Sequence, residues 1–154
     1  MLSMFLSMST GIETLVSQNV GSGNIWLSGI NLNQGLLVMR VLYCVISYVL
    51  LHTSYFMKYI GQDEHISELT EQYVTYYLPG LYLFGLCDVY RKFFNSFSMN
   101  AIPMVSLGIA VFLHPFWLYI FVFQYNMNLK GIALAGIITN ALSYIIMRLI
   151  FQYM

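Results

Sequence analysis

Three places in this chain put ionisable side chains where chemistry would need them. Glu13 sits inside "GIETLVSQNVGSGN", Gly11 to Asn24, with Gln18 on the same stretch. A carboxylate there can exchange a proton or offset a cationic solute; it can equally be bonded and buried as a brace for a neighbouring backbone. Asp88 precedes Arg91 and Lys92 by three and four residues, spacings that set side chains together on one helical face. That arrangement suits mutual neutralisation, or direct contact with a solute or a gate. His114 stands immediately before Pro115. An imidazole titrates near physiological pH, so a proton role is open beside the plainer one of hydrogen bonding at a proline kink.

Other chemistries find no support. "GSG" at 21–23 follows a helical pattern rather than a strand, so it does not read as a phosphate-cradling loop. His52, His65 and His114 are far apart, and no metal site is expected from them. Cys44 and Cys87 fall inside apolar runs, which argues against a disulfide framework or a zinc site. No enzyme signature and no cofactor motif is expected, and a net charge of zero suggests no nucleic-acid partner.

The elements that must carry these residues follow from composition. Of 154 residues, 59% are hydrophobic and only 8% charged, and mean hydropathy is +0.72. Soluble domains carry about 25% charged residues. The charges cluster and leave uncharged runs at 41–57, 72–87, 93–129 and 131–147. Runs of that length match a bilayer core about 30 Å thick. The fold class is therefore all-α: one transmembrane domain over 1–154, a multi-pass bundle of about five spans. The spans are read at 1–19, 32–57, 68–97, 104–124 and 130–152. The opening "MLSMFLSMST" lacks a basic leader and a cleavage site, so it is not read as a secretory signal. Starting inside an apolar segment, the chain is expected to begin partway through a larger design.

Glycines and prolines set the divisions. Gly21, Gly23 and Gly29 are read as loosening a first connector over 20–31, and Pro103 as opening the fourth helix. Pro79 and Pro115 fall within spans, where each frees a backbone carbonyl and is expected to kink its helix. Gly131 and Ala135, then Gly136 and Asn140, recur four apart on the fifth helix and invite a close neighbour. The bias of basic residues toward the cytoplasm groups Arg91, Lys92 and Arg148 there, with Arg40 near the edge. The connector 20–31 is then cytoplasmic, and the acidic connector 61–71 lies outside.

These residues also carry a resemblance. "GIETLVSQNVGSGN" resembles the second-helix signature of the multidrug and toxic compound extrusion (MATE) transporters, eukaryotic type. Glu13, Thr14, Leu15, Gln18, Gly21 and Ser22 fill its marked positions, with Ile12 where leucine or cysteine is usual. "YIGQD" at 59–63 is similar to the connector after the family's third helix. "YYLPGLYLFGLCDVYRKFFNSFSMNAIPMV" resembles the fourth helix, "FLHPFWLYIFVF" the fifth with its proline one place early, and "LKGIALAGIITNALSYII" the start of the sixth.

The resemblance implies helices two to six of an amino-terminal lobe. In the family, two six-helix lobes face a central cavity and export organic cations, drugs or metabolites in exchange for protons or sodium ions. It implies that Glu13, Gln18 and His114 are cavity or proton-linked residues, and that Asp88, Arg91 and Lys92 brace the cytoplasmic end. The family's first helix and its carboxy-terminal lobe have no counterpart in the sequence, so a second lobe is an expected partner, beside the bilayer, the organic substrate and the coupling ion. Plasma and vacuolar membranes are both open. Two other readings stand beside transport: a truncated, non-transporting membrane protein that associates with a full-length transporter, and a flippase of lipid-linked sugars. The scarcity of basic residues disfavours the second.

Overall fold

The computed structural model describes residues 2–153. Every element in them is helical: α1 (Leu2–Gly21), α2 (Ile25–Leu50), α3 (Thr53–Tyr59), α4 (Glu64–Ser96), α5 (Ala101–Leu118) continuing as a π-helical turn (Tyr119–Gln124), and α6 (Asn128–Gln152). α4 is the axis of the bundle. It packs against α1, α2 and α3 on one side and against α6 and, more lightly, α5 on the other.

The first connector is far shorter than the three glycines suggest. Gly29 lies inside α2, and the chain turns within Ser22–Asn24, where Gly23 adopts φ +76°. Asn24 ends the turn by capping α2, its side chain accepting from the Leu27 N–H at 3.1 Å. α2 therefore starts at Ile25 and stops at Leu50, rather than running over 32–57. Its end is set by side chains that bond back to the last turn. His52 Nδ1 lies 2.9 Å from the Tyr48 carbonyl, and Thr53 Oγ1 donates to the Leu50 carbonyl at 2.6 Å. The short α3 follows as a separate element.

α4 begins four residues earlier than its apolar pattern indicates. The Asp63 side chain accepts from the N–H groups of His65 and Ile66, which makes the acidic "DEHISE" a capped first turn instead of a connector. α5 runs through Pro115 and widens into the π-helical turn, which the proline pattern alone does not reveal. Gly131 of α6 permits the backbone of that turn to come close. A Cβ there would meet the Phe121 carbonyl carbon and oxygen at 3.0 Å.

Three segments are long and apolar enough to cross a membrane by length and composition: Ile25–Leu50, Ala101–Gln124 and Asn128–Gln152, with mean hydropathies of 1.4, 1.9 and 1.7. α1 and α4 are helices of spanning length, since 20 and 33 residues rise about 30 and 50 Å. Both carry charges within their length, Glu13 in α1 and Asp88, Arg91 and Lys92 in α4, and Glu13 pairs with Lys92 across the two helices. Arg40 is a further correction: with α2 at 25–50 it stands near the middle of the helix, not at an edge. The buried core joins Val16 of α1, Leu32, Met39 and Ile46 of α2, Leu81, Val89, Tyr90, Phe93 and Phe94 of α4, and Met147 of α6.

Candidate functional site

Two polar clusters sit on α4, one toward α1 and one toward α5 and α6. The first is ionic. Lys92 Nζ binds Glu13 Oε2 at 2.6 Å, and one turn earlier Asp88 accepts from Ser9 Oγ and pairs with Arg91. The two contacts between α1 and α4 share one sequence offset, 9 with 88 and 13 with 92. Equal offsets mean that the helices run parallel, with matched turns facing each other. Ser96 Oγ closes the cluster, within bonding distance of the Glu13 carbonyl at 3.2 Å and the Lys92 carbonyl at 3.0 Å.

Burial differs within this cluster. The Asp88 side chain is 1% exposed, whereas those of Glu13 and Lys92 retain 30% and 20% of their surface. A charge at membrane depth needs a partner or water. Asp88 has two partners in a dry setting, and Glu13 has one in a setting that solvent can reach. The helical spacing placed Lys92 beside Asp88. The structure instead turns Lys92 across to α1 and leaves Asp88 to Arg91 and Ser9.

Gln18 joins neither cluster. Five residues after Glu13 on a helix, it points about 140° away. It lies exposed beside Thr14 and Ser17, on a polar strip of α1.

The second cluster is held by hydrogen bonds, and no ion pair among the described residues falls in it. Thr139 Oγ1 lies 2.8 Å from the Ala135 carbonyl and 2.8 Å from His114 Nδ1, bridging α5 and α6. The same recess is lined by Tyr77, Val111, Gly136 and Asn140. Asn140 Nδ2 donates to the Tyr77 hydroxyl at 3.1 Å and to the Gly80 carbonyl at 3.2 Å, and Cys87 Sγ donates to the Asn140 carbonyl at 3.3 Å. From α2, Tyr43 donates to the Leu78 carbonyl at 3.2 Å. Pro79 thus lies between two carbonyls that accept from neighbouring helices, whereas the carbonyl its missing N–H frees is that of Thr75.

Sequence reasoning missed Ser9, Tyr43, Tyr77 and Thr139 as site residues, and used Asn140 only as a small-spacing residue. Asn140 carried a readable signal, because an amide in an apolar helix must find partners. The hydroxyl residues carried none that distinguishes them from ordinary helix-surface serines, threonines and tyrosines.

Comparison with known proteins follows from this geometry. The MatE family model matches residues 1–120. The chain is 27% identical over 137 residues to Protein DETOXIFICATION 15 of Arabidopsis thaliana, covering 88% of this chain and 28% of that protein. It is 30% identical over 141 residues to Multidrug and toxin extrusion protein 1 of Oryctolagus cuniculus, covering 90% and 24%, and 30% identical over 154 residues to the Homo sapiens protein of that name, covering 99% and 26%. The chain therefore spans less than a third of the length of these relatives. No solved structure matches it. With the family model covering most of a multi-pass, all-helical membrane chain, this protein belongs to the MatE family.

Proposed function

We propose that the chain forms part of a membrane efflux antiporter, a transporter and not an enzyme. Its residues 1–154 act as one transmembrane unit, equivalent to helices two to six of an amino-terminal lobe, and α1 and α4 cross the bilayer together with the three more apolar segments. With a second lobe it exports organic cations, drugs or metabolites in exchange for protons or sodium ions by alternating access. The plasma membrane and the vacuolar membrane are the two settings in which such export serves a cell.

The observation that carries this reading is the Glu13–Lys92 pair. Glu13 is a carboxylate held by an internal ammonium while remaining partly exposed. An incoming organic cation or a proton competes with Lys92 for the same oxygens, so arrival of either loosens the contact between α1 and α4. Exchange of one cation for another at a single carboxylate is the elementary step of antiport. Gln18 and Thr14, on the exposed strip of α1, offer neutral hydrogen-bonding contacts to the solute. His114 adds a second proton-accepting site, while Asp88 with Arg91 fixes the end of α4.

The test is transport of a fluorescent organic cation into proteoliposomes by the complete transporter, driven by an imposed proton or sodium gradient. Glu13→Gln removes the charge that competes for cations. It is expected to reduce gradient-driven uptake by about tenfold or more, with membrane abundance unchanged. Uptake that stays at the parent level across pH would remove Glu13 from the coupling step. Comparison of the two gradients identifies the ion.

A further inference from the structure

One ammonium in this bundle has two carboxylates within reach. Lys92 Nζ is held by Glu13 Oε2 of α1 at 2.6 Å, and Asp88 stands four residues earlier on its own helix. Side chains four apart on a helix are surface neighbours. Both positions also face α1, because Asp88 meets Ser9 there and Lys92 meets Glu13 one turn later. A rotation of the flexible lysine stem is enough to carry the ammonium from one acid to the other, with no change in α4.

Asp88 has room for it. An ionised carboxylate offers about four lone-pair sites, and the contacts with Arg91 and Ser9 leave some of them open. The Asp88 side chain is 1% exposed, whereas that of Lys92 keeps 20%, so the carboxylate is the fixed member and the ammonium the mobile one. The helices packed around them bring no rival charge to either acid. Arg40 on α2, His114 on α5, and Lys130 and Arg148 on α6 form no ion pair among the described residues, and Lys58 of α3 is taken by Glu64 and Glu68.

We propose that Asp88 is the alternate partner of Lys92: when a proton or an organic cation takes the Glu13 carboxylate, the ammonium turns back to Asp88 and displaces Ser9. This rests on the cation exchange proposed at Glu13. An ammonium left alone at membrane depth is costly, and the neighbouring acid removes that cost. Lys92 brings a full charge to the carboxylate where Ser9 brings only a dipole, so the ammonium outcompetes the hydroxyl. One event at Glu13 then parts α1 from α4 at two successive turns, 13 with 92 and 9 with 88. The Ser96 hydroxyl, 3.2 Å from the Glu13 backbone carbonyl, is indifferent to that event and stays as a pivot. Asp88 is thus a positioning residue: it sets where Lys92 goes when Glu13 lets it go.

Lysine acylation of the detergent-solubilised full chain tests this, with a water-soluble N-hydroxysuccinimide ester as probe and peptide mapping to read Lys92 beside Lys58 and Lys130. Glu13→Gln is expected to leave Lys92 near the parent rate, because Asp88 receives it. Asp88→Asn is expected to do the same, because Glu13 still holds it. With both acids neutralised the Lys92 rate is expected to rise about fivefold, while Lys58 and Lys130 keep their parent rates. A rise in Glu13→Gln alone overturns the proposal, since the released ammonium has found no second partner. A rise in Asp88→Asn alone overturns it too, since Asp88 then supports the fold instead of awaiting Lys92. An unchanged rate in the combined variant also does so, since burial alone then protects the amine. Where the combined variant fails to fold, Ser9→Ala decides. It is expected to lower the unfolding midpoint of the parent more than that of Glu13→Gln, in which Ser9 is already displaced, and an equal fall in both overturns the proposal. Labelling reads the ammonium and transport reads Glu13, so either can fail alone.

Discussion

The two faces of α4 solve the same problem in opposite ways. Toward α1, charge anchors the polar contacts: Lys92 pairs with Glu13 across the two helices, and one turn earlier Asp88, paired with Arg91 within α4, accepts from Ser9 of α1. Toward α6, they are neutral: an asparagine spans two groups of α4, and an aromatic ring fills a notch between two glycines. Charged contacts respond to protons and cations, and their strength depends steeply on whether water is near. Amide and ring contacts respond to neither. α4 is thus joined to α6 by uncharged contacts, and to α1 by one ion pair and a hydrogen bond to a buried carboxylate. If the bundle moves during transport, α1 is the helix expected to part from α4, with α4 and α6 moving as one body.

The largest expected effect comes from the driest member of the ionic face. Arg91→Ala leaves the Asp88 carboxylate buried with only Ser9 for company. Stranding a buried charge costs about 3–5 kcal/mol, read as a fall in the unfolding midpoint of the purified chain in detergent. Adding Asp88→Asn to that variant is expected to restore most of the loss, because the charge that needed a partner is gone. A double variant no better than Arg91→Ala would show that Arg91 matters through packing, and the distinction between the faces would fail on its ionic side.

The neutral face is tested by volume. A Cβ on Gly136 would lie 2.8 Å from the Tyr77 ring, and one on Gly80 would meet the same ring atom at 2.8 Å. The ring is also held through its hydroxyl by Asn140, so it has little room to yield. Gly136→Ala is expected to destabilise the chain by about 1–3 kcal/mol, and Tyr77→Leu in the same chain to absorb most of the strain. Asn140→Leu removes both donated bonds and is expected to cost about 1–2 kcal/mol, with no dependence on pH between 5 and 9, roughly the range in which no asparagine titrates. A pH-dependent loss in Asn140→Leu would mean that its bonds are coupled to His114, which lines the same recess, and that the two faces are less distinct than their bonds suggest.

How far the sequence shows these faces depends on what each is made of. Charges in an apolar chain are conspicuous, so Glu13, Asp88, Arg91, Lys92 and His114 stand out at once. The class of fold follows from the same scarcity of charge. Partner choice is less visible. Helical spacing puts Lys92 beside Asp88, yet the parallel packing of α1 on α4 offers Lys92 a carboxylate on another helix, and tertiary placement decides. Helix ends were misjudged where a single side chain sets them. Asn24 and Asp63 cap helices that hydropathy alone starts later, and His52 with Thr53 divides a run that hydropathy reads as continuous. The π-helical turn after Pro115 leaves no composition signal, because its residues are as apolar as the helix before it.

The smallest effect sharpens the comparison by moving an ion pair into water. At the turn between α3 and α4, Lys58 Nζ binds Glu64 Oε1 at 2.8 Å, with the Glu64 side chain 78% exposed. The hydrogen bond from Lys58 lowers the Glu64 carboxyl below its ordinary 4.5, and the bond to Glu64 raises the Lys58 ammonium above its ordinary 10.5. A lowered acid contributes stability that is present above its unfolded value and lost as pH falls through its folded value. A raised base contributes stability that is present below its unfolded value and lost as pH rises through its folded value. The pair is therefore intact from about pH 5 to pH 10 and weakens on either side of that window. Being exposed, it is screened by salt and holds two mobile chains in one geometry, which consumes most of its attraction. Glu64→Gln is expected to leave the unfolding midpoint at pH 7 almost unchanged, and Arg91→Ala to lower it strongly. If the exposed pair mattered as much as the buried one, burial of Asp88 would not be what gives its pairing with Arg91 its strength, and the contrast between the two faces of α4 would reduce to charge alone.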